Sequence, residues 1–234
     1  MEIRWIGKKV IAISLLLIVL TGKMPVYAYS GKNASTYARQ YWNSYNTSYP
    51  SYSSDCTNFA SQCAVAGGET IVSLPASKVG ILDYGGTYMC KNYWSCKYYT
   101  YKIGNVKIRK GYVPTSTWTI VDQAAGASSY GFQDFMLKNK NKVITIFNCA
   151  DTRSMNKLIS TAKSGDIIQI QHDGSNRCTH SYIVGSKKKN SKGNNDLFFY
   201  AHTSNRDASS DDSLWYLLNK KTIKKSDTLV LISM

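Results

Sequence analysis

Glutamate is nearly missing from this chain. Only Glu2 and Glu69 represent it, and the acids together number 14 against 29 lysines and arginines. Proline occurs four times and histidine three times in 234 residues. Beyond the first 28 residues no run is apolar and long enough to cross a bilayer, and there is no collagen period and no sustained heptad. Those absences exclude a multi-pass membrane protein and a fibrous one. Charged residues make up 18% of the chain and hydrophobic ones 43%, which excludes a disordered protein and fits one folded core. Cysteine is present six times, yet without a C-x-x-C pair or a Cys-His cluster of zinc spacing. No metal site and no cofactor are expected.

The N-terminus has the order of a signal peptide. Arg4, Lys8 and Lys9 are followed by an apolar run, Val10 to Leu20, which is too short for a spanning helix of roughly 20 residues. Val26-Tyr27-Ala28 offers small residues at the two positions a signal peptidase reads, so cleavage is expected after Ala28. This divides the chain into a signal peptide, residues 1–28, and a single domain, residues 29–234. No membrane span is expected after processing, and the domain is expected to be secreted, with retention at the cell wall as a further expectation.

Residues 1–28 contain four basic residues and one acid, so of the formal +15 the mature chain keeps +12. Such a charge outside the cell draws the protein to anionic wall polymers or lipid headgroups. Nucleic acid is not the expected partner. The run Lys187-Lys188-Lys189 reads as a solvated turn.

Periodicity places helices early and strands late. Ala34, Tyr37, Ala38, Tyr41, Trp42 and Tyr45 share one helical face, with Asn33 as a possible cap. A second helix carries Cys56, Phe59, Ala60 and Cys63 on one face, capped by Ser53, Ser54 or Asp55 and ended by Gly67-Gly68. Residues 69 to 115 read as an irregular excursion with a short hairpin. A helix is plausible from Trp118 to Lys138, a strand over Val143 to Phe147, and a helix around Met155, Leu158, Ile159 and Ala162, started by Asp151 or Thr152. Strands follow at Asp166 to Gln171, His180 to Gly185, Leu197 to His202 and Leu229 to Ile232. The fold class is α+β, with N-terminal helices packed on a C-terminal antiparallel sheet.

The chemistry centres on Cys56. A thiol in the first turn of a helix meets the positive end of the helix dipole, which favours thiolate, and backbone amides that can hold an oxyanion. The competing reading is a buried or disulfide-bonded cysteine. A thiolate nucleophile needs an imidazole base, and only His172, His180 and His202 are available. His180 opens a strand and His202 closes one. If those strands pair with Tyr182 opposite Tyr200, the two histidines lie opposite each other, and one can orient the other. A one-residue slip would separate them. His172 precedes Asp173-Gly174 and reads as a rim histidine at a turn. Of the tyrosines, Tyr37, Tyr41, Tyr45, Tyr182 and Tyr200 fit core packing. Tyr84, Tyr88, Tyr93, Tyr98, Tyr99 and Tyr101, with Trp94, lack that periodicity and read as a substrate-contacting loop.

The run Asp55-Cys56-Thr57-Asn58-Phe59-Ala60-Ser61-Gln62-Cys63, followed by Gly67-Gly68, resembles the putative amidase domain family, a relative of the NlpC/P60 and CHAP groups of papain-like cysteine hydrolases. Trp118, Gly165-Asp166-Ile167-Ile168, Thr179-His180-Ser181-Tyr182-Ile183-Val184 and Ala201-His202-Thr203 carry the same resemblance over about residues 33 to 219. It implies a papain-like, NlpC/P60-like fold. It implies Cys56 as nucleophile, His180 as general base and His202 as third catalytic member, with Asn205 and Asp207 as substitutes. It implies Asp55, Asn58 and Trp118 as substrate-binding residues, Asp55 having helix capping as its alternative. The implied activity is a secreted cysteine amidase or peptidase acting through a thioester, with the peptides of cell-wall peptidoglycan as substrate. The alternatives are another acyl hydrolase and a non-catalytic wall- or surface-binding protein. A nucleophilic Cys56 must stay a thiol. Cys63, about 10 Å along the same helix, is in any case too far for a disulfide. Cys90–Cys96 is the one proposed bridge, and Cys178 reads as a core cysteine.

Overall fold

The computed structural model describes residues 28–49, 51, 55–70, 97–103, 106–113, 132, 136–137, 140–175 and 178–234. The expectations for residues 1–27, Cys90–Cys96, Tyr84, Tyr88, Tyr93, Trp94 and Trp118, and for most of the helix over 118–138, lie outside these residues.

Two helices come first. Helix α1 (Gly31–Tyr41) is capped by the Ser30 hydroxyl, which accepts from the Asn33 amide. The cap is thus Ser30 and not Asn33, and the helix stops before Tyr45, whose side chain is exposed. Helix α2 (Cys56–Ala66) follows, then a hairpin of β1 (Lys97–Ile103) and β2 (Val106–Val113). The remaining strands are β3 (Val143–Asn148), β4 (Ile167–Gln171), β5 (Cys178–Lys189), β6 (Asn195–Ala201), β7 (Arg206–Asp207) and β8 (Thr228–Ser233). They form one antiparallel sheet in the order β3-β8-β4-β5-β6-β7. Helix α3 (Thr152–Thr161), capped by Asp151, precedes β4, and α4 (Leu214–Asn219) precedes β8. The molecule is α+β with a curled antiparallel sheet, as the sequence implies.

Alternation along the strands splits the core in two. Ile167, Ile183 and Ile232 pack with Ala34 and Ala38 of α1 and Phe59, Ala60, Cys63 and Ala64 of α2. Ile168, Ile170, Tyr182, Val184 and Phe199 pack on the other face with Met155, Leu158 and Ile159 of α3 and Leu214 and Leu217 of α4. The small residues on α1 and α2 let these helices approach the sheet together.

The Gly165-Asp166 step locks the first helix to the sheet. Gly165 has φ +87°, and a Cβ there would run into the Gly31 backbone. Asp166 accepts from the amides of Lys163 at 2.8 Å and Met234 at 3.0 Å, tying the turn into β4 to the end of β8.

The β5–β6 pairing departs from the expected register. Ile183 faces Tyr200 and Val184 faces Phe199; beyond a bulge at Gly185, Ser186 faces Phe198. The expected pairing of Tyr182 with Tyr200 is off by one residue up to Val184, which reverses the facing of side chains there, and by two beyond the bulge, which restores it. The lysines Lys187 to Lys189 lie on β5 and not in a turn, because the strand continues to Lys189.

Candidate active site

Helix α2 delivers Cys56 to a gap in the sheet. Pairing of β5 with β6 begins only at Ile183, and β6 gives way to a turn after Ala201. The N-terminus of α2 is tied to that turn: the Asp55 amide donates to Thr203 Oγ1 at 2.8 Å. It is also tied to β5, since Thr57 Oγ1 and Ser181 Oγ share a hydrogen bond of 2.8 Å. Gln169 Nε2 on β4 donates to the same Ser181 oxygen at 2.8 Å. Cys56 and His180 are thus the chain neighbours of two residues in direct contact. Cys56 is buried, with 6% of its surface exposed. Its Sγ lies 3.8 Å from Thr57 Oγ1. The first intrahelical bond runs from Phe59 N to Asp55 O at 2.8 Å, so the amides of Cys56 to Asn58 lie ahead of the helical ladder, at the positive end of the dipole.

His180 meets Tyr182 edge-on, with ring centroids 4.6 Å apart, and Tyr182 stacks on Phe199 at 5.2 Å. Burial pushes the Tyr182 phenol up to about 12; a charge on Cys56 pushes the same way, and a hydrogen bond from Arg206 pulls against both. Tyr182 therefore stands within electrostatic reach of Cys56 and in contact with His180. Arg206 Nη1 donates to Asp212 Oδ1 at 2.7 Å, which holds the guanidinium that also hydrogen-bonds Tyr182. Burial, the Arg206 charge and then His172 lower the His180 imidazole to about 4. At neutral pH this ring is uncharged.

His202 goes elsewhere. It sits on the α1–α2 side of the sheet, its ring stacked on Phe59 with centroids 4.0 Å apart. Its Nδ1 lies 2.7 Å from Asp55 Oδ2 and its Nε2 donates to the Tyr41 carbonyl at 2.6 Å. Both nitrogens are occupied, so the expected cross-strand pairing of His202 with His180 does not occur; the one-residue register difference and the end of β6 at Ala201 are the cause. The other Asp55 oxygen accepts from Asn58 Nδ2 at 2.8 Å. Asp55 and Asn58 are both 0% exposed. The expectation that they contact substrate meets two buried side chains already bonded to each other, and Asp55 does not cap the helix through its side chain.

The remaining candidates fall into place by the same accounting. Asp207 Oδ1 accepts from Ser209 N at 2.9 Å, away from any imidazole contact, and the turn 202–205 carries Asn205. His172 is half-exposed and bonds Asp227 through Nδ1 at 3.0 Å, in keeping with a rim residue. Cys56, Cys63, Cys149 and Cys178 are thiols and not disulfides. Burial lifts the Cys63 thiol well above its usual range, and lifts Cys149 to about 12 with the Asp227 charge adding to it. Among the described residues no group of histidine, cysteine and carboxylate side chains is arranged to hold a metal ion. Gln62 accepts from the Tyr37 hydroxyl at 2.7 Å and so clamps α2 to α1. Sequence reasoning missed Thr57, Ser181, Tyr182 and Arg206 as parts of this site; the first three stood inside the quoted motifs, while the hydroxyl pair spans 124 residues and has no local signal.

A 42-residue segment is 45% identical to a protein of Bacillus subtilis (strain 168) described as the uncharacterized protein YhbB. The match spans 18% of this chain and 14% of that protein. No solved structure matches the chain. The model of the putative amidase domain matches residues 28–224, and the chain belongs to that family.

Proposed function

We propose that this protein is a secreted cysteine-dependent amidase or peptidase whose substrate is the peptide part of cell-wall peptidoglycan, and that its site is of the NlpC/P60 and CHAP type. Family membership supports hydrolysis of a C–N bond. The observation that supports the cysteine mechanism is the place of Cys56 in the first turn of α2, a turn tied by the Thr57–Ser181 hydrogen bond to β5, the strand that carries His180. The apolar leader of residues 10–20 and the charge of +12 beyond residue 28 support an anionic extracellular setting.

In this reading Cys56 Sγ attacks the amide carbonyl carbon while His180 takes the thiol proton. The oxyanion develops toward the first-turn amides of α2. His180 returns the proton to the leaving amine as the C–N bond breaks, leaving a thioester. It then deprotonates a water, whose attack frees the acid and restores the thiol. Asp55, Asn58 and His202 are buried and bonded to one another and to the ends of α1 and α2, which gives them a positioning role in this reading, and Trp118 stands as a substrate contact on the strength of the motif.

Mass spectrometry of peptidoglycan fragments after incubation tests this reading. New amine and carboxyl termini are expected with the wild type and none with Cys56→Ser. Cleavage by Cys56→Ser would remove the cysteine mechanism. Intact peptidoglycan together with stoichiometric alkylation of Cys56 would redirect the search to another acyl substrate.

A further inference from the structure

We infer that the groove between the β5–β6 hairpin and α4 is a second binding site, built for an anionic polysaccharide. The groove has a volume of about 710 Å³, within the range of ligand sites. Lys188, Lys189 and Lys192 line it, the partly buried Trp215 and Tyr216 give it an aromatic wall above the buried Phe198, and no acidic side chain is among its described lining residues. Asparagine and serine side chains and Thr152 supply the rest of its polar lining.

Exposed lysines on a hairpin are usually no more than a solvated face, and three features set these apart. The first is their floor. The Lys188 ammonium lies 4.4 Å above the Phe198 ring, held over the groove by a cation–π contact. The second is rigidity. Asp196 is fully buried beneath the groove and pins both walls. Its Oδ2 accepts from Asn190 Nδ2 at 3.1 Å in the hairpin turn, and its Oδ1 accepts from Leu197 N at 2.9 Å and from Trp215 N at 3.2 Å at the start of α4. Asn190 in turn accepts from the amides of Lys192 and Asn194 at 3.0 and 3.2 Å, which fixes the turn that carries the lysine. The third is contrast. A cavity of about 530 Å³ beside β3 has one lysine, Lys225, offset by Asp173, and no aromatic wall.

The chemistry of the groove selects its ligand. Ammonium groups bind carboxylate or phosphate, flat aromatic faces bind the apolar faces of sugar rings, and side-chain amides bind hydroxyls. A repeating, hydroxyl-rich ring that carries anions satisfies all three. Lys188 stands eight residues along β5 from His180, about 25 Å at the rise of a strand. The groove is therefore separate from the thiol site and would hold a polymer while a distant part of it reaches Cys56. Its existence does not depend on the thiol chemistry.

The test is binding of full-length mature chain to polygalacturonate, a carboxylated sugar chain, beside neutral dextran and inorganic polyphosphate. Binding is expected to polygalacturonate above both others, and to weaken with salt. The combined variant Lys188→Gln, Lys189→Gln, Lys192→Gln is expected to lose at least tenfold in affinity. A control variant with the same charge change at the exposed Lys32, Lys224 and Lys225 is expected to stay within twofold of wild type. Equal losses in the two variants would reduce the effect to net charge, and polyphosphate binding as tight as polygalacturonate would remove the sugar from the proposal; either result overturns it. Cleavage of a short soluble peptide by the groove variant is expected to match wild type, so a failure of the hydrolase reading shows separately from a failure of this one.

Discussion

The imidazole of His202 bridges the ends of two helices: Nδ1 lies 2.7 Å from Asp55 Oδ2, immediately ahead of α2, and Nε2 donates to the Tyr41 carbonyl at the last residue of α1. A carbonyl oxygen only accepts, so Nε2 carries a proton, and Nδ1 and the carboxylate share another. Titratable groups around the ring are Asp55 and the edge-on Tyr45, with Phe59 stacked beneath. The pair is buried, and breaking one side leaves the other polar group without its partner. His202→Ala is expected to cost about 3–5 kcal/mol of stability in urea unfolding. Asp55→Ala is expected to cost a similar amount, and the double variant less than the sum of the two by at least about 1 kcal/mol. Simple additivity would show that the bridge carries no energy. Because the bridge sets the start of α2, His202→Asn is expected to lower kcat more than it raises KM.

Much of this arrangement was legible in the sequence, and the missing part has physical causes. Ala34 and Ala38, and Phe59, Ala60 and Cys63, stand at helical spacing, and each set faces the sheet as that spacing requires. The β-branched and apolar runs in Asp166 to Gln171 and in Leu229 to Ile232 located two strands within a residue of their ends. The hairpin register was not legible, because Gly185 sits in a bulge where a Cβ would strike the Tyr200 ring. A glycine inside a strand run was the signal for that bulge. The roles of Asp55 and His202 depended on a contact across 147 residues. No spacing rule reaches that far, and a carboxylate beside a nucleophile looks the same in sequence whether it turns outward to substrate or inward to a histidine.

The thiols should separate by reactivity. Cys63 and Cys149 are buried and hold their protons far above neutral pH, so neither presents a thiolate at pH 7. Peptide mapping after brief treatment of the native protein with iodoacetamide is expected to find Cys56 labelled at least tenfold more than either. Equal labelling of Cys56 and Cys63 would show that the end of α2 confers no activation.

In the proposed mechanism the lowered His180 imidazole sets the acid side of the pH profile. The base must be uncharged to work, so the acid limb of kcat/KM is expected near pH 4, well below the ordinary histidine value of 6.5. After burial, the Arg206 charge is the next cause of that lowering. Arg206→Gln is expected to move the limb toward neutral pH, and Arg206→Lys, which keeps the charge, to leave it near its wild-type place. The same shift acts on stability. A histidine whose imidazole is lowered by folding favours the folded state fully above pH 6.5, and that contribution falls away between pH 6.5 and 4 as the unfolded chain takes up its proton first. The loss is about 2–3 kcal/mol once screening at the exposed edge of the ring is allowed for. Unfolding curves at pH 7 and pH 4.5, compared between wild type and His180→Gln, measure it.

Gly165 tests whether the helix-to-sheet lock is needed to present the thiol. Its φ of +87° lies where only glycine is at ease, and the missing side chain leaves room for Gly31 at the start of α1. Tyr29 reinforces the contact by donating from its hydroxyl to the Gly165 carbonyl at 2.7 Å, and Ser30 N donates to Gly67 O at 2.7 Å at the far end of α2. A methyl group at residue 165 must therefore push α1 away from the sheet, or strain the turn that Asp166 ties to Met234. Either response costs about 2–4 kcal/mol, from backbone strain plus a steric clash that cannot relax through a flexible side chain. Displacing α1 also moves the Tyr41 carbonyl from His202, so the damage reaches the end of α2. Gly165→Ala is accordingly expected to lower the unfolding midpoint and also the rate of Cys56 alkylation in the fraction that stays folded. Gly174 has a similar φ of +73° but open space around its Cβ position. Gly174→Ala should show the strain alone, a loss of about 1 kcal/mol with the thiol rate unchanged. Equal thiol rates in the two variants would mean that α2 holds its place without α1.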